Sequence, residues 1–518
     1  MSERVVVVGF GPVAARLIDE LLPAVAFGVV ELTVIGEEPV AAYNRVLVAD
    51  LGVGRTSADA LALADAASLV AAGVDVRLGV RVRRVDRARR RLLLSDGTAP
   101  RYDRLVFATG ARPVIPNLTG LNPDPAMPAL PPGVTALRDL ADAAALHAAV
   151  AGGKRVVVLG GGVLGLETAL AAAEEGATVT VVYNGPFPLG RSIDRGGGAV
   201  LAASLRNCGV RTAGNARSVG LKTDDDGGFS ALLLDDGSAI DGDLLVLSCG
   251  VRPRVELAEG CGLPTAAGVL VDHRLRTHHE PHVFAVGDCA EVRCPDPDCV
   301  DCRTSRGPSG LVGPGWRQAE WLAGYLTLLA EGSPAAAEAM PPLPPERPAV
   351  VVLKARGLTM AVAGDVSADP WDEEALCSGS AAGRPRLQVS QWADPEHGRY
   401  VKMSTRAGVL EGLVAVGMPR TAAELVQLFE RGAELPSDRS LLLRLDGPEA
   451  DASQAVADPA RTVCRCAGVS GIAIASAVSS GCSTVAEVSA TTRAGTGCGS
   501  CHDEIRGLIE KHFQAAVA

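Results

Sequence analysis

Four cysteines, in Cys464-Arg465-Cys466 and Cys498-Gly499-Ser500-Cys501, carry the clearest chemical signal in the 518-residue sequence. The pattern is Cys-x-Cys, 31 residues, then Cys-x-x-Cys. Four thiolates are the ligand set of a [2Fe–2S] centre, and equally that of a structural zinc ion. Gly495, Gly497 and Gly499 surround the second pair, so backbone N–H groups can approach the sulfurs. Cys482 falls between the pairs and reads as a small apolar residue of a helix–turn, not as a ligand. A second run, Cys294-Pro-Asp-Pro-Asp-Cys299-Val-Asp-Cys302, puts three thiols within nine residues, with Cys289 nearby. It could bind zinc or a second cluster, or be a loop of free thiols; no histidine lies inside the run to complete a site.

Two glycine-rich turns supply the other chemistry. Val5 to Val8 is a β-branched run that ends at Gly9-Phe10-Gly11-Pro12-Val13-Ala14 and continues with helical spacing through Leu17, Leu21 and Leu22. This is the G-x-G-x-x-A form of the dinucleotide fingerprint, whose glycines let backbone approach a pyrophosphate at the positive end of a helix. The next strand, Leu32 to Ile35, ends in Gly36-Glu37-Glu38, where an acid can accept hydrogen bonds from a ribose. A second copy runs from Val156 to Leu159 into Gly160-Gly161-Gly162-Val163-Leu164-Gly165. Two such units imply two dinucleotides. After the second, the strand Thr178 to Val182 ends in Tyr183-Asn184, not in the acid that an NAD site usually offers to the ribose 2′-hydroxyl. NADH and NADPH are therefore not distinguished; Arg191 and Arg195 either neutralise a 2′-phosphate or are solvated loop arginines.

The elements that must position these groups are bounded by length and composition. A chain this long divides into three or four domains. Lys and Arg number 49 against 60 Asp and Glu, a net charge of −11, which disfavours nucleic acid and anionic membranes as partners. Aromatics are only 3%, so the core rests on Val, Leu and Ala, as suits buried parallel strands and their covering helices. No apolar stretch reaches the length of a membrane span. Met1-Ser2-Glu3-Arg4 and the valines after it run into Gly-Phe-Gly without a small-residue cleavage site and read as a first strand. Thirteen cysteines without a secretory signal argue for metal and redox use in a reducing compartment, hence the cytoplasm. Gly332 to Pro348 and Asp446 to Arg461 have linker composition, and the second suggests a tether on which the cysteine module moves. Between them, Val350 to Lys354, Thr359 to Ala363, Leu387 to Trp392 and Tyr400 to Ser404 are strand-like, and Ala422 to Arg431 is helical.

Val463-Cys464-Arg465-Cys466-Ala467-Gly468-Val469-Ser470, Gly481-Cys482-Ser483-Thr484-Val485 and Thr492-Arg493-Ala494-Gly495-Thr496-Gly497-Cys498 resemble the BFD-like module of bacterioferritin-associated ferredoxin and bacterial NAD(P)H nitrite reductases. That resemblance implies [2Fe–2S] on Cys464, Cys466, Cys498 and Cys501. The glycine turns, with Leu105-Val106-Phe107-Ala108-Thr109-Gly110-Ala111-Arg112-Pro113, Cys249-Gly250-Val251-Arg252-Pro253 and Val283-Phe284-Ala285-Val286-Gly287-Asp288, resemble the flavoprotein reductases with two dinucleotide-binding domains. The resemblance implies FAD on Gly9, Gly11, Ala14, Glu37, Thr109, Gly110 and Asp288. It implies NAD(P)H on Gly160, Gly162 and Gly165, with Glu167 near the nicotinamide. Tyr43-Asn44-Arg45 is similar to the nitrite-reductase segment along the flavin and its pyrophosphate, where Arg45 suits a phosphate. Leu311-Val312-Gly313-Pro314-Gly315 resembles the start of a helix directed at the isoalloxazine, whose positive end would stabilise negative charge on reduced flavin.

The expected fold is α/β: two Rossmann-like dinucleotide-binding domains, a small α+β third domain and a small helical BFD-like iron–sulfur domain. The boundaries expected are 1–120 with 245–330 for FAD, 121–244 for NAD(P)H, 349–446 for a structural or dimer-forming domain, and 461–512 for the cluster. The cofactors carry the chemistry, so no catalytic acid or base is expected, and the absence of a Cys-x₄-Cys dithiol after the first fingerprint disfavours a disulfide reductase. Over residues 1 to 512 the sequence resembles the reductase portion of assimilatory nitrite reductases and the electron-transfer subunit of assimilatory nitrate reductase. Nitrite reductases of that kind continue into a sirohaem and [4Fe–4S] region, whereas this sequence stops at Ala518. The expectation is a separate electron-donating subunit for a molybdenum nitrate reductase. Alternatives are a general reductase for a ferredoxin, rubredoxin or oxygenase, and a redox-sensing or iron-handling partner, against which two intact nucleotide fingerprints argue.

Overall fold

The computed structural model describes residues 2–122, 130–303, 307–346, 348–355, 357–372, 385–446 and 460–517. Its first sheet has eight strands, in the order Ala290–Val292, Val269–Val271, Arg276–Thr277, Glu280–Ala285, Arg104–Phe107, Glu3–Val8, Val30–Ile35, Asp75–Arg77. Glu3–Val8 pairs in parallel with Val30–Ile35 on one side and Arg104–Phe107 on the other. Its valines Val5 to Val8 are buried because helices cover both faces of such a sheet. Pro12–Ala26 is one of those helices; proline in its first turn costs nothing, since that N–H has no partner within the helix. Val312–Ala330 packs beside it.

A second parallel sheet orders Arg211–Ala213, Thr178–Val182, Arg155–Leu159, Leu244–Leu247, Val134–Thr135. In both sheets the glycine turn leaves a central strand beside a neighbouring strand's carboxyl end, the crevice in which open α/β sheets bind ligands. A three-stranded antiparallel sheet, Ser218–Thr223, Phe229–Leu234 and Ala239–Asp241, extends the second unit.

The third sheet is antiparallel: Val351–Ala355, Leu358–Gly364, Val409–Val416, Arg399–Arg406, Leu387–Asp394. Its central strand Val409–Val416 is missing from the sequence-based reading because Gly412 interrupts the apolar run. That glycine is required: a Cβ there would collide with the Asp365 carbonyl, and one at Gly364 with the Glu411 carbonyl. Helix Pro419–Arg431 covers one face. The other face shares a core with the second unit, where Tyr400, Val414 and Val416 pack with Leu201 and Leu205. At this seam Asp194 caps helix Arg195–Asn207 and also accepts the Tyr400 hydroxyl, with the buried Lys402 ammonium 3.4 Å away.

The linker-like stretch 332–348 contains a helix, Pro334–Ala339, whose Glu338 accepts Tyr325 and pairs with Arg276. Most of the second, 447–459, lies outside the described residues. The cysteine module has two short strands, Thr462–Cys464 and Val469–Ser470, and helices Gly471–Ser479, Val485–Thr492 and His502–Val517 around Ile474, Val488 and Ile505. Thr484 and Glu487 form a reciprocal capping box at the middle helix. Among the described residues no helix is long and apolar enough to cross a membrane.

Candidate functional site

The two glycine turns are built alike. A Cβ on Gly9, where φ is +104°, would collide with the Ala108 carbonyl, and one on Gly160, at +126°, with the Ser248 carbonyl. Each glycine therefore lets its strand turn tightly against the neighbouring strand's end. Gly11 and Gly162 face open space and stand as N-caps of Pro12–Ala26 and Val163–Glu174 without a side-chain cap. Their free N–H groups suit a pyrophosphate. Gly165 is close packing instead: a Cβ would strike the Gly160 carbonyl, and Ala14 sits buried at the matching place in the first turn. The backbone fits two dinucleotides.

One continuous cavity of about 5320 Å³ opens outside the first turn and along helix Val163–Glu174 that follows the second. A single ligand pocket is roughly 300–1,000 Å³, so the space is that of several sites merged. Gly9, Gly11, Glu37, Arg45, Thr109, Gly110, Glu167 and Asp288 line it, as do Cys466 and Cys498. Ala14, Gly160, Gly162 and Gly165 lie outside its lining. Arg191 and Arg195 are exposed at its wall.

The polar groups of the first unit are held by partners invisible in the sequence. Asp288 lies 3.3 Å from Arg138, whose own pKa is lowered by burial and by the nearby Arg45 charge, while Asp288 acts against that loss. Gln318, on Val312–Ala330, accepts the Gly287 N–H at 2.7 Å. Glu37 meets Arg81, and Arg254 at 3.3 Å. Thr109 donates to the Arg254 carbonyl at 2.8 Å. Arg45 pairs with Glu38 and stacks 4.7 Å over the Tyr43 ring. Glu167 is pushed up to about 7, first by burial and then by the charges of Asp50 and Cys498.

The four cysteines of the module fall into two pairs. Cys466 Sγ and Cys498 Sγ are 3.1 Å apart, and Cys464 hydrogen-bonds with Cys501. The Gly495 N–H points at Cys464 Sγ at 3.4 Å, and the Cys501 thiol with such amides lowers the Cys464 pKa to about 6. A tetrahedral zinc ion requires four sulfurs around one centre. Among the described residues the only set of three or more such ligand atoms within 4.8 Å of one another lies elsewhere, so these thiols fit two irons better than one ion. Gly497 is necessary here, since a Cβ would lie 2.6 Å from Cys466 Cβ.

The module is clasped to the first unit. The buried Asn44 amide donates to the carbonyls of Thr496, at 2.7 Å, and Gly497, while its Oδ1 accepts Val46 N–H. Trp316 reaches from its bond to the Pro12 carbonyl, 3.1 Å, to the space above Gly497, and Gly313 lies beside Cys466. Arg493 pairs with Glu20 at 2.7 Å, while Arg465 pairs at 3.6 Å with Glu430 of helix Pro419–Arg431, on the third sheet. The start of Val312–Ala330 thus touches both the Pro12 turn and the cysteine loop. Sequence reasoning places Asn44 only in a segment along the flavin and does not single out Arg138, because each acts across a long stretch of chain.

The pyridine nucleotide-disulphide oxidoreductase family matches residues 3–309, and the BFD-like [2Fe-2S] binding domain matches 462–511. A nitrite reductase [NAD(P)H] of Bacillus subtilis is 28% identical over 517 residues, covering 98% of this chain and 58% of that protein. The assimilatory nitrate reductase electron transfer subunit of Bacillus subtilis is 25% identical over 518 residues, covering 98% and 59%. The chain thus spans less than two thirds of the length of these relatives. In fold it is similar to the ferredoxin reductase for the CYP199A2 system from Rhodopseudomonas palustris, with TM-score 0.67, 23% identity, and coverage of 87% of this chain and 98% of that one. The chain belongs to the pyridine nucleotide-disulphide oxidoreductase family and is an NAD(P)H-dependent flavoprotein with a BFD-like [2Fe–2S] domain.

Proposed function

We propose that this chain is the electron-donating component of nitrate assimilation, taking reducing equivalents from NAD(P)H in the cytoplasm and delivering them to the catalytic subunit of a molybdenum nitrate reductase. The observation that carries this reading is that Cys466 and Cys498 open onto the same cavity as Gly9, Thr109, Asp288 and Glu167. Likeness to the nitrate reductase electron transfer subunit over 98% of this chain supports the choice of acceptor. When bound, NAD(P)H supplies a hydride, FAD takes up the electron pair, and the [2Fe–2S] cluster passes electrons on singly.

In this reading 1–120 with 245–330 form the FAD unit, 121–244 the NAD(P)H unit, 349–446 the structural domain and 461–512 the cluster domain. Gly9 and Gly11 admit a pyrophosphate to the N–H groups that open Pro12–Ala26, with Ala14 packing beneath. Glu37 accepts from a ribose, Arg45 faces phosphate, Thr109 and Gly110 border the flavin, and Asp288 accepts from the ribitol while Arg138 holds its carboxylate in place. Gly160, Gly162 and Gly165 repeat the cradle for NAD(P)H, and Glu167 stands at the nicotinamide. Cys464, Cys466, Cys498 and Cys501 hold the cluster, kept in place by Asn44 and Trp316. No residue is assigned a catalytic proton transfer.

The test is an anaerobic titration with NADH and, separately, NADPH, followed by absorption and low-temperature EPR. Flavin bleaching with a growing [2Fe–2S] signal is expected, and the better reductant identifies the nucleotide. Flavin bleaching with no cluster signal overturns the electron path. Nitrate reduction should require the added catalytic subunit; rapid reduction of small electron carriers with no gain from that subunit would instead make the chain a general reductase.

A further inference from the structure

We propose that His273, Cys294, Cys299 and Cys302 bind one structural zinc ion. His273 stands 21 residues before Cys294 in sequence. It follows the strand Val269–Val271, and Cys294 follows Ala290–Val292, two strands paired in parallel with Val271 opposite Val292. The Arg293 N–H closes the ladder on the Val271 carbonyl at 2.8 Å. Histidine and first cysteine therefore leave the same end of the sheet side by side. A turn at Asp296, which accepts the Asp298 and Cys299 N–H groups, returns the chain so that Cys299 faces Cys294, and the short helix Val300–Arg303 delivers Cys302.

The four ligand atoms all lie within 4.8 Å of one another. His273 Nε2 is 3.3 Å from Cys299 Sγ and 3.4 Å from Cys302 Sγ, and Cys294 Sγ is 3.5 Å from Cys302 Sγ. A tetrahedral zinc ion with Zn–S of about 2.3 Å and Zn–N of about 2.0–2.1 Å has ligand–ligand edges of about 3.6–3.8 Å. These three edges are within a few tenths of an ångström of that figure, and the other three are within 4.8 Å. The Cys294 N–H points at Cys302 Sγ at 3.2 Å, an outer hydrogen bond that fixes where this sulfur sits. Cys289 takes no part: it is fully buried and bonds to the Phe107 and Val286 carbonyls.

Three sulfurs and one imidazole complete a tetrahedron and leave no open position, which makes the ion structural. One convergent centre, unlike the two pairs of the cluster module, fits a mononuclear ion and not a second cluster. The ion would tie the 293–303 segment to the edge of the first sheet, just before the stretch that enters helix Val312–Ala330. It thereby adds to the proposed electron path a fixed support without joining it.

The test is elemental analysis of the full-length, cofactor-loaded protein produced with zinc available. About one zinc and about two irons per chain are expected. Cys299→Ser and His273→Asn should each lower zinc about tenfold or more while iron stays; Cys498→Ser should do the reverse. Zinc absent from the unaltered protein, or zinc unchanged in both variants, overturns the proposal. Variants that lose about two irons instead point to a second cluster and also overturn it. If the variants fail to fold, cobalt added to the zinc-depleted unaltered protein decides. Thiolate-to-cobalt charge-transfer and tetrahedral d–d bands support the site; bands of octahedral cobalt alone refute it.

Discussion

The chain carries two four-ligand sets of soft donors, and they are arranged differently. In the C-terminal module the thiols stand in two pairs, Cys466 with Cys498 and Cys464 with Cys501, on two loops that face each other. In the 294–302 segment three thiols and His273 converge within 4.8 Å. Two pairs suit a binuclear cluster whose electrons must reach a neighbour; one convergent centre suits a redox-inert ion that holds a loop. The paired thiols reach the cavity through Cys466 and Cys498, with Cys464 and Cys501 buried behind them, whereas the convergent set reaches it through His273 and no sulfur, with Cys302 buried against the edge of the first sheet. Ligand type alone does not separate conduction from support; spacing does.

The largest effect should come from removing one of the paired thiols. Cys498→Ser is expected to abolish the [2Fe–2S] signal and to lower NAD(P)H-driven reduction of a protein acceptor on the order of 100-fold. Reduction of a two-electron dye should fall far less, and the ratio of the two rates is the readout. Equal loss in both assays would mean that the paired thiols serve the flavin site itself.

Metal removal should sort the two centres next. A chelator that strips zinc but spares the cluster should leave the EPR signal and open the 293–303 segment, with limited proteolysis there accelerating about tenfold. Cleavage that speeds up first in the 461–512 module would reverse the comparison.

Much of this was legible from sequence, and the exceptions share a cause. Gly9, Gly160 and the Cys464–Cys501 pattern carry their meaning locally, because a turn or a short loop alone dictates the residue. The four cysteines of the BFD-like pattern lie together in the structure, since two short loops of one small domain present them. His273 escaped because it completes Cys294-x₄-Cys299-x₂-Cys302 only through the parallel pairing of Val269–Val271 with Ala290–Val292. The contacts of Arg138 behind Asp288 and of Asn44 beneath Gly497 escaped likewise; in each case a loop meets a loop from another part of the chain. Val409–Val416 was hidden for a different reason, the glycine that lets two strands approach closely.

The Asn44 clasp offers a graded test. Asn44→Ala removes two hydrogen bonds to the cysteine loop and leaves the Thr496 and Gly497 carbonyls to find other partners, a loss of about 1–3 kcal/mol. Reduction of the cluster by NAD(P)H, followed by stopped flow, should slow by roughly tenfold while iron content is retained. Loss of iron would instead make Asn44 a support of the cluster and not of its docking.

Glu167 reports on one of the two centres alone and gives the smallest effect. Burial, then Asp50 and Cys498, raise its pKa from 4.5 to about 7. Between these values the folded protein holds a proton that the unfolded chain has released, so stability falls as pH rises through this window and levels off above it. The size is roughly 1–3 kcal/mol, discounted for the solvent that reaches this half-buried side chain. Glu167→Gln should therefore denature at nearly the same urea concentration as the unaltered protein at about pH 5 and at a higher one at about pH 8. Because a negative Cys498 contributes to the shift, Cys498→Ser should move the window downward, whereas Cys299→Ser, at the convergent centre, should leave it in place. A Gln variant with the same difference at both pH values would mean that Glu167 is already ionised across the range and that the cavity between the cluster and the second unit is wetter than its lining implies.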